Sequence, residues 1–168
     1  MKKILLLFIL TALLSGCQRS QLEIGLNPKS GSNAVGFALL SEKNGLVKLS
    51  VTVRGLEQGT HAIHLHEKAD CSSDDGKSTG GHWNPTFAPH GKWGDNKGYH
   101  KGDIGNFEVG TDGIGRIYFE TNQWCMGCED KTKDILGKAI IVHQGADDFV
   151  SQPSGAAGAR ISCAGILE

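Results

Sequence analysis

Apolar and polar side chains alternate along residues 46–54, where Val47, Leu49, Val51 and Val53 are separated by polar residues. This period of two is typical of a half-buried β-strand, and the preceding Asn44-Gly45 pair predicts a hairpin turn. Similar segments, most of them bounded by glycine, asparagine or aspartate, are 35–40, 62–66, 106–109, 114–120, 139–143 and 159–163. Seven or eight short strands with glycine-rich turns predict an all-β domain, an antiparallel sandwich or barrel.

Two long stretches, residues 67–101 and 144–158, lack this periodicity and are rich in Gly, Pro, Asp and His. Loops of this length inside a compact domain usually carry function. The one helical candidate is the short segment 129–136. We therefore expect an all-β fold with two long functional loops.

The N-terminus is the one strongly hydrophobic part of the chain. Lys2 and Lys3 precede the apolar run 4–14, which is shorter than the roughly 20 residues of a spanning helix and is typical of a signal peptide. The run ends in Leu-Ser-Gly-Cys, which resembles the lipobox of bacterial lipoproteins. We predict a cleaved signal at 1–16, an acylated Cys17, a flexible lipid-anchored tether at 17–33 and an ordered domain at 34–168.

Composition and net charge argue against several classes of protein. The chain has 168 residues, of which 24 are glycine, and its formal net charge is −1, which argues against a disordered chain, a coiled coil, a polytopic membrane protein and a nucleic-acid-binding protein. Cys17 is assigned to lipid. The other cysteines, an even number in a chain addressed to an oxidising compartment, predict disulfides; they are Cys71, Cys125, Cys128 and Cys163.

The histidines carry the strongest chemical signal, since all seven lie between residues 61 and 143. His64 and His66 are two apart on a predicted strand, so their rings project from one face. The further candidate ligands are His82, His90, His100, Asp103 and His143. Three histidines with one aspartate suit tetrahedral zinc, whereas an all-imidazole set suits copper. The pattern predicts two metal sites.

Five segments then show that the sequence resembles the copper/zinc superoxide dismutases, specifically their secreted bacterial branch. They are GTHAIHLHE at 59–67, GGHWNP at 80–85, HKGDIGN at 100–106, VHQGADD at 142–148 and GAAGARISC at 155–163. The resemblance covers nearly the whole mature domain. It implies a Greek-key β-sandwich or flattened barrel of about eight strands, and dismutation of superoxide to dioxygen and hydrogen peroxide.

The resemblance also implies roles for individual residues. The copper ligands would be His64, His66, His82 and His143. The zinc ligands would be His82, His90, His100 and Asp103, with His82 bridging both metals and delivering a proton to the departing peroxide. Asp147 would link the two sites as an outer hydrogen-bond partner, Arg160 would attract the anionic substrate, and His61 would be structural. Cys71 and Cys163 would form a disulfide.

The segment Trp124-Cys125-Met126-Gly127-Cys128 departs from the family pattern. A local disulfide between Cys125 and Cys128 is the favoured interpretation; a labile redox pair and a copper-loading thiol site are the alternatives. For the whole protein, the alternatives to a dismutase are a membrane-tethered copper or zinc carrier with little turnover and a thiol oxidoreductase. We expect a periplasmic, lipid-anchored protein of the bacterial envelope, on the inner or outer membrane, as a monomer or a homodimer.

Overall fold

A computed structural model describes residues 20–168. Eight antiparallel strands close into one barrel in the order β1-β2-β3-β6-β5-β4-β7-β8, with β1 pairing to β8. The strands are β1 Ser20–Pro28, β2 Val35–Lys43, β3 Leu46–Arg54, β4 Gly59–His66, β5 Gly105–Val109, β6 Ile114–Thr121, β7 Ala139–His143 and β8 Arg160–Gly165. The described residues contain one short 3-10 helix, Lys77–Thr79, and no helix long and apolar enough to cross a membrane.

The predicted all-β fold is confirmed. Strands β3 and β7 have the expected bounds, and the other expected strands differ from theirs by a few residues at one or both ends. The expected helix at 129–136 is wrong. This segment forms a turn closed on the Asp130 carbonyl, and its backbone pairs with Cys125, which donates to the Lys133 carbonyl and accepts from the Ile135 amide.

The expected flexible tether is also wrong from Ser20 onward, because residues 20–28 form strand β1. Its register with β2 runs from Ser20 opposite Glu42 to Leu26 opposite Gly36. Leu26 is buried in the core, and Leu22 and Ile24 pack against it. The barrel therefore extends to Ser20, well before the predicted start at residue 34. Cys17 lies outside the described residues.

The barrel interior is filled by alternate strand residues, as the sequence pattern predicts. On β3 the four valine and leucine side chains are all buried, while the positions between them are partly or fully exposed. On β4, Ile63 and Leu65 belong to this core. His64 and His66 have the opposite parity, so they project from the outer face of the barrel.

Two long connections cover that outer face: residues 67–104 between β4 and β5, and residues 144–159 between β7 and β8. The first is fixed to β4 by backbone hydrogen bonds in which Leu65 donates to Gly102 at 2.9 Å and accepts from Trp83 at 2.8 Å. A side chain at Gly102 would lie 2.3 Å from the Leu65 carbonyl oxygen, so glycine allows the close approach. As a result, β4 is buried on both faces from His61 to His66.

We expect the Leu26→Ala substitution to lower the free energy of unfolding by about 2–5 kcal/mol, because it opens a cavity in the barrel core. Glu23→Ala, on an exposed position of the same strand, is the matched control and should have little effect. Urea unfolding of both variants measures the difference. Equal stability of the two variants would mean that β1 adds nothing to the barrel.

Candidate metal centre

Strands β4 and β7 and the β4–β5 loop bring six histidines and one aspartate together in two buried groups. Within each group the potential ligand atoms lie within 4.8 Å of one another, and His82 belongs to both. The first group is His64, His66, His82 and His143; the second is His82, His90, His100 and Asp103. The structure thus brings together all seven residues that the sequence singles out as candidate ligands.

In the first group, each of three histidines uses one ring nitrogen to bond the protein. His64 Nε2 donates to Asp147 at 2.8 Å, His66 Nδ1 donates to the Gly80 carbonyl at 3.0 Å, and His143 Nδ1 donates weakly to the Gly158 carbonyl at 3.5 Å. The other nitrogens converge, and the Nε2 atoms of His66 and His143 lie 3.4 Å apart. These outer hydrogen bonds fix each ring so that its free nitrogen points into the group.

The second group is arranged around the Asp103 carboxylate. Oδ1 lies 2.9 Å from His82 Nδ1 and 3.2 Å from His100 Nδ1, and Oδ2 lies 3.0 Å from His90 Nδ1. The backbone amides of His100 and Gly91 donate to Oδ2. Asp103 and His100 are close in sequence, so the turn between them positions both side chains.

The His82 ring lies between the two groups. Its centroid is 4.0 Å from that of His64 and 5.3 Å from that of His90. Its Nδ1 faces Asp103, and its Nε2 is buried without a hydrogen-bond partner. One imidazole therefore offers one nitrogen to each group.

The Asp147 carboxylate connects the groups from behind. Oδ2 accepts from His64 at 2.8 Å, and Oδ1 accepts from His90 at 2.9 Å. A Cβ atom at Gly155, whose φ is +67°, would lie 1.8 Å from Oδ1. Glycine at this position leaves the space that the carboxylate occupies, and one carboxylate orients a histidine of each group.

The donor atoms fit two metal ions. Four buried ring nitrogens have no hydrogen-bond partner in the described residues: His64 Nδ1, His82 Nε2, His90 Nδ1 and His100 Nδ1. Buried polar atoms left without partners are costly, and a metal ion would satisfy them. Ligand atoms about 2.0 Å from a tetrahedral ion lie about 3.3 Å apart, which matches the 3.0 and 3.2 Å separations around Asp103.

Burial and the two carboxylates set the charges in the centre. Burial lowers the pKa of His66 and His143 well below 6.5 and that of His82 to about 4. Burial also opposes protonation of His90, but Asp103 and Asp147 on either side raise its pKa to about 9. Burial alone would raise the pKa of both aspartates.

The surrounding histidines outweigh that burial and hold both aspartate pKa values below the usual range. Both aspartates are therefore ionised at neutral pH, and His66, His82 and His143 are neutral, as ligands must be.

The first group opens to solvent through a cleft of about 590 Å³. Its lining includes His66, His82, His143 and Arg160. Arg160 Nη1 donates to the Gly76 carbonyl at 2.9 Å and to Thr79 Oγ1 at 3.0 Å. Thr79 is fully buried and donates its own proton to Gly76 at 2.8 Å, so these two residues fix the guanidinium. Sequence reasoning did not identify Thr79, because no motif distinguishes it.

The remaining predicted residues lie around this centre or away from it. A disulfide joins Cys71 to Cys163 and so ties the β4–β5 loop to β8. A second disulfide joins Cys125 to Cys128 in the β6–β7 connection; neither cysteine lines the cleft. His61 is buried between the carbonyls of His143 and Glu57, each 2.9 Å from a ring nitrogen, and takes no part in either group.

The chain is similar in sequence and in structure to known proteins. A family model described as copper/zinc superoxide dismutase (SODC) matches residues 33–166. A second model, described as a prokaryotic membrane lipoprotein lipid attachment site, matches residues 1–18. The chain is 34% identical over 134 residues to a copper–zinc superoxide dismutase of Aquifex aeolicus (strain VF5), covering 77% of each chain.

It is 35% identical over 139 residues to the superoxide dismutase-like protein YojM of Bacillus subtilis (strain 168), covering 80% of this chain and 70% of that one. Among solved structures, a crystal structure of a SOD-like protein from Bacillus subtilis aligns with a TM-score of 0.76 and 32% identity, over 86% of this chain and 97% of that one. The sequence matches and the structural alignment therefore point to the same family over most of the described residues.

We expect the metal-free protein to be most stable near pH 6.5. Between about 6.5 and 9 the folded state keeps a proton on His90 that the unfolded chain has lost, so stability falls as pH rises. Below about 6.5 the unfolded chain binds protons that buried His66, His82 and His143 resist, so stability falls as pH drops.

Urea unfolding of chelator-treated protein across this pH range tests the expectation. His90→Gln is the control: it should remove the decline above pH 6.5 and keep the decline below it. A stability that climbs steadily from acid to pH 9 in the parent protein would contradict these charge assignments.

Proposed function

The chain belongs to the copper/zinc superoxide dismutase family, and we propose that it converts superoxide to dioxygen and hydrogen peroxide. The observation that carries this proposal is the position of His82, one ring with a nitrogen facing each of two ligand groups. A single structural metal site would not need a shared ring. The open cleft beside the first group gives a small anion access to it.

The two groups differ in donor chemistry, which assigns the metals. The first group, His64, His66, His82 and His143, is all imidazole and would hold copper; the second, His82, His90, His100 and Asp103, would hold zinc. When bound, copper would exchange single electrons with superoxide while zinc keeps one oxidation state. The copper group borders the cleft through His66, His82 and His143, and the zinc group through His82 and His100. The larger share of the copper group at the cleft suits a substrate-facing role.

His82 would also hold and release a proton. His82 lines the cleft, its Nε2 is buried without a hydrogen-bond partner, and its Nδ1 faces Asp103. The zinc-side contact would keep the ring in place whenever Nε2 is free to bind a proton. Hydrogen peroxide requires protons, and a general acid positioned at the cleft supplies one where the product forms.

Arg160 would attract the anionic substrate. Its guanidinium lies on the cleft wall with Nη1 fixed by Gly76 and Thr79. Burial lowers the pKa of Arg160, but an arginine side chain remains charged in proteins. A fixed cation in a recessed site raises the local concentration of a small anion, and superoxide dismutases are a well-known example of this effect.

The lipid attachment match at residues 1–18 indicates a membrane-anchored protein of the bacterial envelope. We further propose that cleavage leaves Cys17 as the acylated first residue and that the barrel functions in the periplasm. The Cys71–Cys163 disulfide is consistent with an oxidising compartment. Superoxide would then be removed outside the cytoplasm.

A metal carrier is the second candidate, because the same donor groups would bind copper and zinc without turnover. Purified protein loaded with both metals distinguishes the two: a dismutase accelerates superoxide loss well beyond buffer, and a carrier does not. His143→Gln, which removes one copper-side nitrogen, should abolish nearly all activity. Gln58→Ala, on an exposed turn, should keep the activity.

Disulfide exchange that survives metal removal would instead support a thiol oxidoreductase acting through Cys125 and Cys128.

We expect Thr79→Val to lower kcat/KM by up to about tenfold through a misplaced Arg160, since steering by a fixed charge is worth about 10- to 1,000-fold in association rate. Thr79→Ser keeps the hydroxyl and should restore both the rate and its dependence on ionic strength. Metal content should be unchanged in both variants. A Thr79→Val protein with the parent's salt dependence would show that Thr79 does not position the guanidinium.

A further inference from the structure

The acylated residue and the barrel are separated by a very short stretch of chain. Only Gln18 and Arg19 lie between Cys17 and Ser20, and Ser20 is already paired with Glu42 in the barrel. Three backbone steps span at most about 11 Å. The anchor therefore restricts how far this end of the barrel can move from a membrane.

The structure identifies the surface that surrounds Ser20. The β2–β3 hairpin turn follows Glu42, and the end of β6 at Thr121 pairs with Val47 beside that turn. A groove lined by Gln21, Leu22, Met126, Leu136 and Glu168 runs along the start of β1. Next to Glu168, Leu167 exposes 59% of its surface, an apolar side chain at this end of the molecule.

The Arg160 edge of the metal cleft lies at the opposite end of β1. Pro28, the last residue of the strand, pairs with Ser162, and Ser30 donates to the Arg160 carbonyl at 2.9 Å. Both Ser30 and Arg160 line the cleft. At about 3.3 Å per residue, the eight steps of β1 separate the two ends by about 26 Å.

We propose that the Ser20 end of the barrel, comprising the β2–β3 turn, the groove along β1 and Leu167, is the face that rests on the lipid bilayer. The acyl chains on Cys17 hold this face at the headgroups, and Leu167 contacts the interface. This proposal rests on lipidation of Cys17, which is part of the proposed function.

The orientation has a consequence for the substrate. Bacterial and model membranes that contain anionic lipids repel a small anion only within about one Debye length, about 8 Å at physiological salt. At about 26 Å along β1, the Arg160 edge of the cleft lies well outside that layer. A lipid-anchored dismutase in this orientation keeps its anion-attracting site in the aqueous phase.

The test uses the full-length lipidated chain in phosphatidylcholine vesicles made with or without brominated acyl chains, which quench nearby tryptophan. Leu167→Trp places the probe at the proposed membrane face. Gln58→Trp is the matched control, because Gln58 is exposed in the turn after the far end of β3. Emission of each added tryptophan is measured as the difference from the parent protein.

We expect brominated lipid to remove emission of the Leu167→Trp probe and leave that of Gln58→Trp unchanged. A Gly-Ser spacer of about twelve residues inserted after Arg19, about 19 Å in root-mean-square length, should restore the Leu167→Trp emission. If brominated lipid quenches the two probes equally in vesicle-bound protein, the proposed orientation is wrong, although the anchor is not. Full-length protein that fails to float with vesicles would overturn the anchor as well, and dismutase activity is measured separately.

Discussion

The centre depends on one buried imidazole ring, that of His82, which must offer one nitrogen to each of the two ligand groups. His82 meets this constraint because Asp103 fixes the side of its Nδ1 and the cleft-side histidines surround its Nε2. His66, His82 and His143 are neutral because burial removes them from solvent, and the two aspartates are ionised because histidines surround them. Bringing these groups together without metal is costly, so metal ions bound here would also stabilise the folded loops.

The barrel creates the centre by giving β4 two different faces. Ile63 and Leu65 are held in the core, so the pleat forces His64 and His66 outward into the space beneath the loops. The loops are then held by connections that are distant in sequence, the Cys71–Cys163 disulfide and the Asp147 bridge between His64 and His90. Rigid strands thus supply three ligands, His64 and His66 on β4 and His143 at the end of β7, and the β4–β5 loop supplies the rest.

Much of this arrangement could be predicted from the sequence. In a β-strand, side chains two residues apart point to the same face, so the alternation in β3 and the spacing of His64 and His66 show which face each side chain occupies. The strand β1 was missed although Leu22, Ile24 and Leu26 also alternate; its position next to the signal segment and the glycine- and serine-rich residues after it favoured a tether. The segment 129–136 lacks a long apolar period, and its backbone pairing with Cys125 could be known only from three dimensions. The role of Thr79 depends on a hydrogen bond across 81 positions, which leaves no local trace.

The short connection between Cys17 and Ser20 would limit how the barrel can be oriented on a membrane. A flexible tether would let the barrel rotate freely above a membrane, whereas pairing of Ser20 in the first strand would join the proposed anchor at Cys17 almost directly to a rigid body. With the proposed lipidation of Cys17, the strand that closes the barrel against β8 would also be the strand that follows the membrane anchor. The same strand separates the anchor from the Arg160 edge of the cleft.

The most direct test of the shared ring is a crystal structure of the copper- and zinc-loaded protein, with anomalous diffraction measured at both absorption edges. The account predicts one copper at His82 Nε2 among His64, His66 and His143, and one zinc at His82 Nδ1 beside Asp103. Two ions bound to separate rings, or a single ion with His82 bound on one edge only, would contradict it.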